Sequence, residues 1–224
     1  MTRVIWIVTD WYRSQSYYDQ GGWRATWDGE GGGVLLNQNP HNLDLWQWMC
    51  GIPKRVKSQV YYGKHRNIEV EDDLYALVEY ENGATGCYIT TVGDAPGTNR
   101  LEIDGTNGKI VVENNELTFY RLRIPEPEFN ATYKGGLGKP EVWECKIPIK
   151  GTYTSHPGII NNFCDCILKG AKPIAPGAEG IRGLQISNAI HLSSWLNGEW
   201  VNIPVDGELF LEKLQEHCKE PVTK

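Results

Sequence analysis

The chain has 224 residues, 40% of them hydrophobic and 22% charged, with a formal net charge of -6 from 22 Lys and Arg against 28 Asp and Glu. That balance describes a globular chain of one large or two small domains, and with no basic cluster longer than Lys54-Arg55-Val56-Lys57 it argues against a nucleic-acid partner. No apolar run approaches the roughly 18 residues that span a bilayer, and the first residues lack a signal-peptide cleavage pattern, so a cytoplasmic protein without membrane contact is expected.

Residues 3–9 carry Val4, Ile5, Trp6, Ile7 and Val8 without a breaker, which predicts a short buried strand. Residues 10–30 mix Trp, Tyr, Arg, Asp and Gly without a period and read as a long ordered loop, a type that often carries function. After Gly31-Gly32-Gly33 the apolar positions of residues 34–50 predict a helix, kinked or restarted near Pro40 and stopped by Gly51 and Pro53. Residues 55–62, 73–80, 84–92, 100–104 and 109–113 predict strands of an antiparallel meander, with Glu81-Asn82-Gly83 and Thr106-Asn107-Gly108 as hairpin turns. Residues 117–123 and 142–149 add two strands, joined by an exposed loop over 124–140. Helices are predicted over 157–169 and 179–196, then a short strand over 200–205 and a helix over 208–217. With neither repeat nor linker, the chain is expected to form one α+β domain over residues 1–224, built on a mainly antiparallel sheet.

The six cysteines (Cys50, Cys87, Cys145, Cys164, Cys166 and Cys218) contain no CxxC pair and sit mostly in apolar stretches. Reduced, buried thiols are therefore expected, not disulfides or a zinc site. Nine Trp, 11 Tyr and 25 Gly suit a sugar site and a packed core equally, so position must decide. Lys134-Gly135-Gly136-Leu137-Gly138-Lys139 lacks the spacing of a phosphate loop, and no GxGxxG stands between a strand and a helix.

On a helical arc Asn37, His41 and Asp44 would share a face, holding an imidazole between an amide and a carboxylate. An imidazole so oriented is a standard general acid or base near pH 7. On spacing alone a capped, satisfied core histidine is the competing reading, and a metal role lacks a third ligand.

Three stretches together resemble the C-terminal domain of the glucose-fructose oxidoreductase / inositol dehydrogenase (Gfo/Idh/MocA) family. They are residues 23–48, with Gly31-Gly32-Gly33, His41, Asp44 and Trp48 at the spacing GGG-x(7)-H-x-x-D-x-x-x-W; residues 83–113, with Arg100-Leu101-Glu102-Ile103-Asp104-Gly105-Thr106-Asn107-Gly108; and residues 174–183. The resemblance covers essentially the whole chain. It implies an open antiparallel sheet with helices on one face (dihydrodipicolinate reductase-like), acting in substrate binding and oligomerisation.

Family members begin with a Rossmann domain and a catalytic lysine that this sequence lacks, so the resemblance implies an excised half with about 120 residues, a typical domain size, in front of it. The implied activity is that of an NAD(P)-dependent oxidoreductase on a sugar, polyol or similar hydroxylated substrate. NAD or NADP would be held by the full-length protein and none by this chain. The alternatives of the same architecture are a nicotinamide-dependent glycosidase and a non-catalytic binding or assembly domain.

By position, the resemblance makes His41 the acid/base and Asn37 a residue that orients substrate or imidazole. A carboxylate often stands at the Asn37 position in the family, and Asn39-Pro40 replace a more usual Gly and aliphatic residue. In the aromatic loop Arg13 and Arg24 would hold hydroxyls or an acidic group, Trp11, Tyr12 and Trp23 would wall the sugar, and His156 is a further substrate contact. Apolar residues fall on both faces of the strands over 73–80 and 142–149, which adds a homo-oligomer formed sheet face to sheet face.

Overall fold

The computed structural model describes residues 1–151 and 154–219. Nine strands, β1 (Arg3–Val8), β2 (Arg55–Tyr62), β3 (Glu71–Glu79), β4 (Thr85–Thr91), β5 (Asn99–Gly105), β6 (Gly108–Glu113), β7 (Glu116–Leu122), β8 (Val142–Ile147) and β9 (Val201–Asn202), form one sheet in the order β8-β7-β6-β5-β1-β4-β3-β2-β9. Every pairing is antiparallel except β1 with β4. The helices are α1 (Gln15–Tyr18), α2 (Val34–Asn37), α3 (Pro40–Cys50), α4 (Glu126–Thr132), α5 (Ser155–Lys169), α6 (Gly180–Trp195) and α7 (Gly207–Lys219). The expected open, mainly antiparallel α+β architecture is the one observed.

The meander is interrupted. β1 inserts between β4 and β5, parallel to the first and antiparallel to the second, so the strands over 84–92 and 100–104 are not a hairpin. A parallel partner needs no tight turn, which is why nothing local in the sequence announces it. Three further expectations are corrected. The loop over 124–140 contains α4, entered through Pro125 and Pro127, which suit a first helical turn. The strand over 200–205 shrinks to Val201–Asn202. All six cysteines are free, but none is buried: Cys164 is exposed and the others are half-buried.

Along β2 the side chains alternate, with Val56, Ser58 and Val60 buried and Lys57, Gln59 and Tyr61 outside. The buried row meets α6, where Ser58 N–H donates to Ser193 Oγ at 2.9 Å and Ser58 Oγ donates to the Ile190 carbonyl at 2.6 Å. Beneath α3, Trp46 packs against Tyr88 and Trp6 with ring centroids 5.0 and 6.4 Å away, and its indole donates to the Tyr80 hydroxyl. Leu35, Leu43, Leu74, Ile190 and Leu192 are almost fully buried in the same layer, each contributing about 1.5–3 kcal/mol of transfer free energy. Thus α3 and α6 cover the β1–β4 side of one sheet face.

The opposite face is open. Tyr75 (46% exposed) and Leu77 (51%) lie there with half-buried Ile5, Ile7, Cys87 and Ile89. Helix α5 also stands apart: none of its residues is buried, and Ile159, Ile160, Phe163 and Ile167 are exposed. Among the described residues no helix is long and apolar enough to cross a membrane.

Candidate functional site

The Gly31-Gly32-Gly33 run exists because the chain passes hard against β3. A Cβ on Gly33 would lie 2.1 Å from the Glu71 carbonyl oxygen, far inside contact distance. This approach lets the Glu71 carboxylate accept the Gly33 and Leu35 N–H groups at 2.7 and 2.9 Å, satisfying the start of α2. Asn39 is fully buried and donates its amide to Thr90 Oγ1, which in turn donates to the Val8 carbonyl at 2.7 Å. The break between α2 and α3 is thereby fixed to the sheet, and Pro40 opens α3 at a position that needs no N–H donor.

This break separates the residues expected to act together. Asn37 ends α2 and His41 lies in the first turn of α3, so they do not share one helical face. Asn37 Oδ1 accepts from the Tyr17 hydroxyl at 3.1 Å and from Gln38 Nε2 at 2.8 Å, and its amide donates to Glu30. Asp44 accepts from Gln47 Nε2 at 3.0 Å. Among the described residues neither is hydrogen-bonded to His41, so the imidazole is not cradled between amide and carboxylate. Nor is it a satisfied core histidine. His41 is exposed, on the wall of a cleft of about 260 Å³ with Leu36, Pro40, Asp44, Leu184 and Ser187. A second cleft of about 470 Å³ shares Asp44 and Gly180 with it and runs to Trp48, which is 73% exposed.

The aromatic loop folds back onto both helices. Trp11 Nε1 donates to Asn42 Oδ1 at 3.3 Å, beside His41. Arg24 donates to the Tyr17 hydroxyl at 3.0 Å, the same hydroxyl that donates to Asn37. The Tyr17 ring carries the Arg13 guanidinium at 5.2 Å and that of Arg24 at 5.0 Å. Arg24 also stacks on Trp23 at 4.6 Å. Arg13, Trp23, Arg24 and Asn37 are therefore brought together around Tyr17. His156 is not: it is exposed in the first turn of α5, with its Nδ1 at 3.3 Å from Ser155 Oγ.

Sequence reasoning missed Tyr17, Glu30 and the buried acids of β3. Asp72 accepts the N–H groups of Lys64, His65 and Arg66 at 2.9, 2.7 and 2.9 Å. Arg66 in turn donates to the Arg13 carbonyl at 2.6 Å. The available signal was Glu71-Asp72-Asp73 directly before an apolar strand: three acids with buried work to do. The neighbouring Tyr18 hydroxyl has its pKa pushed well up by burial.

The glycine-rich start of α2 does not offer free amides to a dinucleotide pyrophosphate. Its Gly33 and Leu35 N–H groups are already taken by the Glu71 carboxylate. Among the described residues there is no group of three or more His, Cys, Asp or Glu able to hold a metal ion.

Comparison with known proteins agrees with this architecture. The WlbA dehydrogenase from Bordetella pertussis, solved with NADH and UDP-GlcNAcA, matches with a TM-score of 0.68 and 26% identity over 91% of this chain and 55% of its own. Levoglucosan dehydrogenase, solved with NADH and L-sorbose, matches with a TM-score of 0.65 and 20% identity over 91% of this chain and 58% of its own. Aldose-aldose oxidoreductase from Caulobacter crescentus, solved with glycerol, shares the fold at 18% identity, with a TM-score of 0.63 over 90% of this chain and 55% of its own. The chain thus spans little more than half the length of these structures. No curated protein sequence matches it. Residues 2–111 match the family described as the GFO/IDH/MocA C-terminal domain, and the chain belongs to the GFO/IDH/MocA family as its C-terminal domain.

Proposed function

We propose that this chain is the substrate-binding and assembly half of an NAD(P)-dependent oxidoreductase acting on a sugar, polyol or similar hydroxylated compound. The observation that carries this reading is His41, exposed in a cleft and free of protein hydrogen bonds among the described residues, beside a loop of stacked arginines and aromatics. An imidazole exchanges its proton between pH 5 and 8 and suits the hydroxyl of such a substrate. The family's sugar-linked dehydrogenases solved with NADH support the same class.

His41 takes the proton of the reacting hydroxyl, and its freedom from protein partners leaves both ring nitrogens available for that exchange. Asn37, Arg13 and Arg24 hold the remaining hydroxyls or an acidic group, fixed in place by Tyr17. Trp23, 52% exposed, offers an apolar ring to the sugar's C–H face. His156 serves as an outer contact once α5 is covered. Hydride chemistry belongs to a nicotinamide bound elsewhere in a longer protein, because the amides at the start of α2 are spent on Glu71. The open sheet face around Tyr75 and Leu77 joins two copies.

Calorimetry on the chain tests the division of labour. Titration with NADH should give no saturable heat, whereas hydroxylated sugars should bind. Saturable NADH binding tighter than about 1 mM, the weak end of ordinary ligand affinity, contradicts it.

A further inference from the structure

Arg13 and Arg24 have no carboxylate at ion-pairing distance among the described residues, although Arg55, Arg100, Arg123 and Arg182 all do. Both are half-buried, where an unpaired charge costs more than it does in open solvent. Of the loop's four acids, three are hydrogen-bonded elsewhere, and the exposed Asp28 forms no ion pair with either arginine among the described residues. Glu30 accepts from Ala25 N–H at 2.7 Å and from the Asn37 amide, Asp19 accepts from Gln15 at 3.0 Å, and Asp10 accepts from Asn99 at 3.2 Å. Arg66, whose guanidinium also has no carboxylate at ion-pairing distance among the described residues, adds a third guanidinium stacked on Tyr12 at 5.1 Å and bonded to the Arg13 carbonyl. A chain of net charge -6 thus keeps three arginines without an ion-pair partner among the described residues clustered in and against the aromatic loop.

Their donors remain available. A guanidinium has five N–H donors in a planar fork. Arg24 spends one on the Tyr17 hydroxyl at 3.0 Å, and Arg13 one on the Tyr12 carbonyl at 2.9 Å. Stacking on Trp11, Tyr17 and Trp23 fixes the planes of both groups and shields them from water. A pre-oriented fork in a partly dry setting is the arrangement that binds an oxyanion through two N–H groups at once. It is wasted on a neutral hydroxyl.

We propose that the substrate is an anionic sugar, a hexuronate or a sugar phosphate, whose carboxylate or phosphate is held between Arg13 and Arg24. This deepens the sugar-oxidoreductase reading and rests on it. Trp11, bonded to Asn42 beside His41, links the anion end to the acid/base end.

Calorimetry on the 224-residue chain tests it with glucose, galactose and mannose, their uronates and their 6-phosphates. At least one acidic form should bind about tenfold or more tighter than its neutral parent, the scale of a charged hydrogen bond. Arg13→Ala or Arg24→Ala should bring that ratio close to one, Arg24→Lys should restore part of it, and circular dichroism should show each variant folded. Arg123→Ala, which removes a guanidinium paired with Glu141 far from the loop, should leave the ratio unchanged. The uronate and phosphate arms tell the two sources of anion apart. Equal affinity for neutral and acidic forms, or a ratio that survives both alanine changes, overturns the anionic class and leaves the sugar reading standing. Binding of none of these compounds overturns the sugar reading itself, and the anionic class with it.

Discussion

His191 Nε2 lies 3.6 Å from a Glu71 carboxylate oxygen, with both side chains essentially fully buried. The pair is not a salt bridge. Burial pushes the Glu71 carboxyl up to about 7, against the hydrogen bonds from Leu35 and Gly33 that favour its charge. Burial also pushes the His191 imidazole down to about 3, helped by the charge of His217. The imidazole is therefore neutral over the whole physiological range, and the carboxyl titrates near neutrality.

These opposite shifts set a pH dependence. Between pH 3 and 6.5 the unfolded chain takes up a His191 proton that the folded chain refuses, so this group makes stability rise with pH. Between pH 4.5 and 7 the folded chain keeps a Glu71 proton that the unfolded chain has lost, so this group makes stability fall with pH. The two oppose each other where the windows overlap. Glu71→Gln should therefore gain on the parent as pH rises from 4.5 to 7, by ~3 kcal/mol at 1.4 kcal/mol per pH unit. His191→Gln should lose ground over the window from pH 3 to 6.5. Urea unfolding across pH 4–8 checks both, and variants that track the parent at every pH contradict the assignment.

The same carboxylate closes the start of α2. Glu71→Ala strands the Gly33 and Leu35 N–H groups and opens a cavity, and should destabilise the fold by about 3 kcal/mol or more. Gly33→Ala drives a Cβ to 2.1 Å from the Glu71 carbonyl and should be at least as damaging. Denaturant midpoints at pH 7, with unchanged m, measure each effect. A loss below about 1 kcal/mol in both, the scale of an ordinary point mutation, shows that this junction is not what fixes the α2–α3 break.

On the open sheet face Tyr75 stands between Gln59 and Ile89 of the neighbouring strands. Its ring meets Tyr61 edge-on at 6.4 Å. Light scattering should find a dimer at micromolar concentration, abolished by Tyr75→Lys and kept by Trp23→Lys. A monomer, or a dimer lost only in the second variant, contradicts the sheet-face interface.

Much of the fold was legible because it is local. β-Branched and aromatic runs marked β2 and β3, Asn107-Gly108 and Asn82-Gly83 marked hairpin turns, and Pro40 marked the break before α3. The insertion of β1 was not legible, since pairing Val4 with Gly86 leaves no trace in adjacent residues. The strand predicted over 73–80 leaves out Glu71 and Asp72, because charge normally seeks water and only the folded chain shows the N–H groups these two acids accept. At the candidate site His41, Arg13, Trp23 and Arg24 stood out by type. Tyr17 did not, because its partner Asn37 is 20 positions away, and the Asn37–His41 spacing misled because a helix break intervenes.

The account turns on His41 as the acid/base of a sugar oxidoreductase. The most direct measurement is nicotinamide absorbance during turnover of the longer protein proposed here, compared with His41→Ala. A substrate-dependent change in absorbance is expected, with kcat lowered by about 10² to 10⁴ in the variant, the scale of general acid/base catalysis, and with unfolding unchanged. Full activity in a folded His41→Ala protein, or sugar release without net reduction of the nicotinamide, contradicts the account.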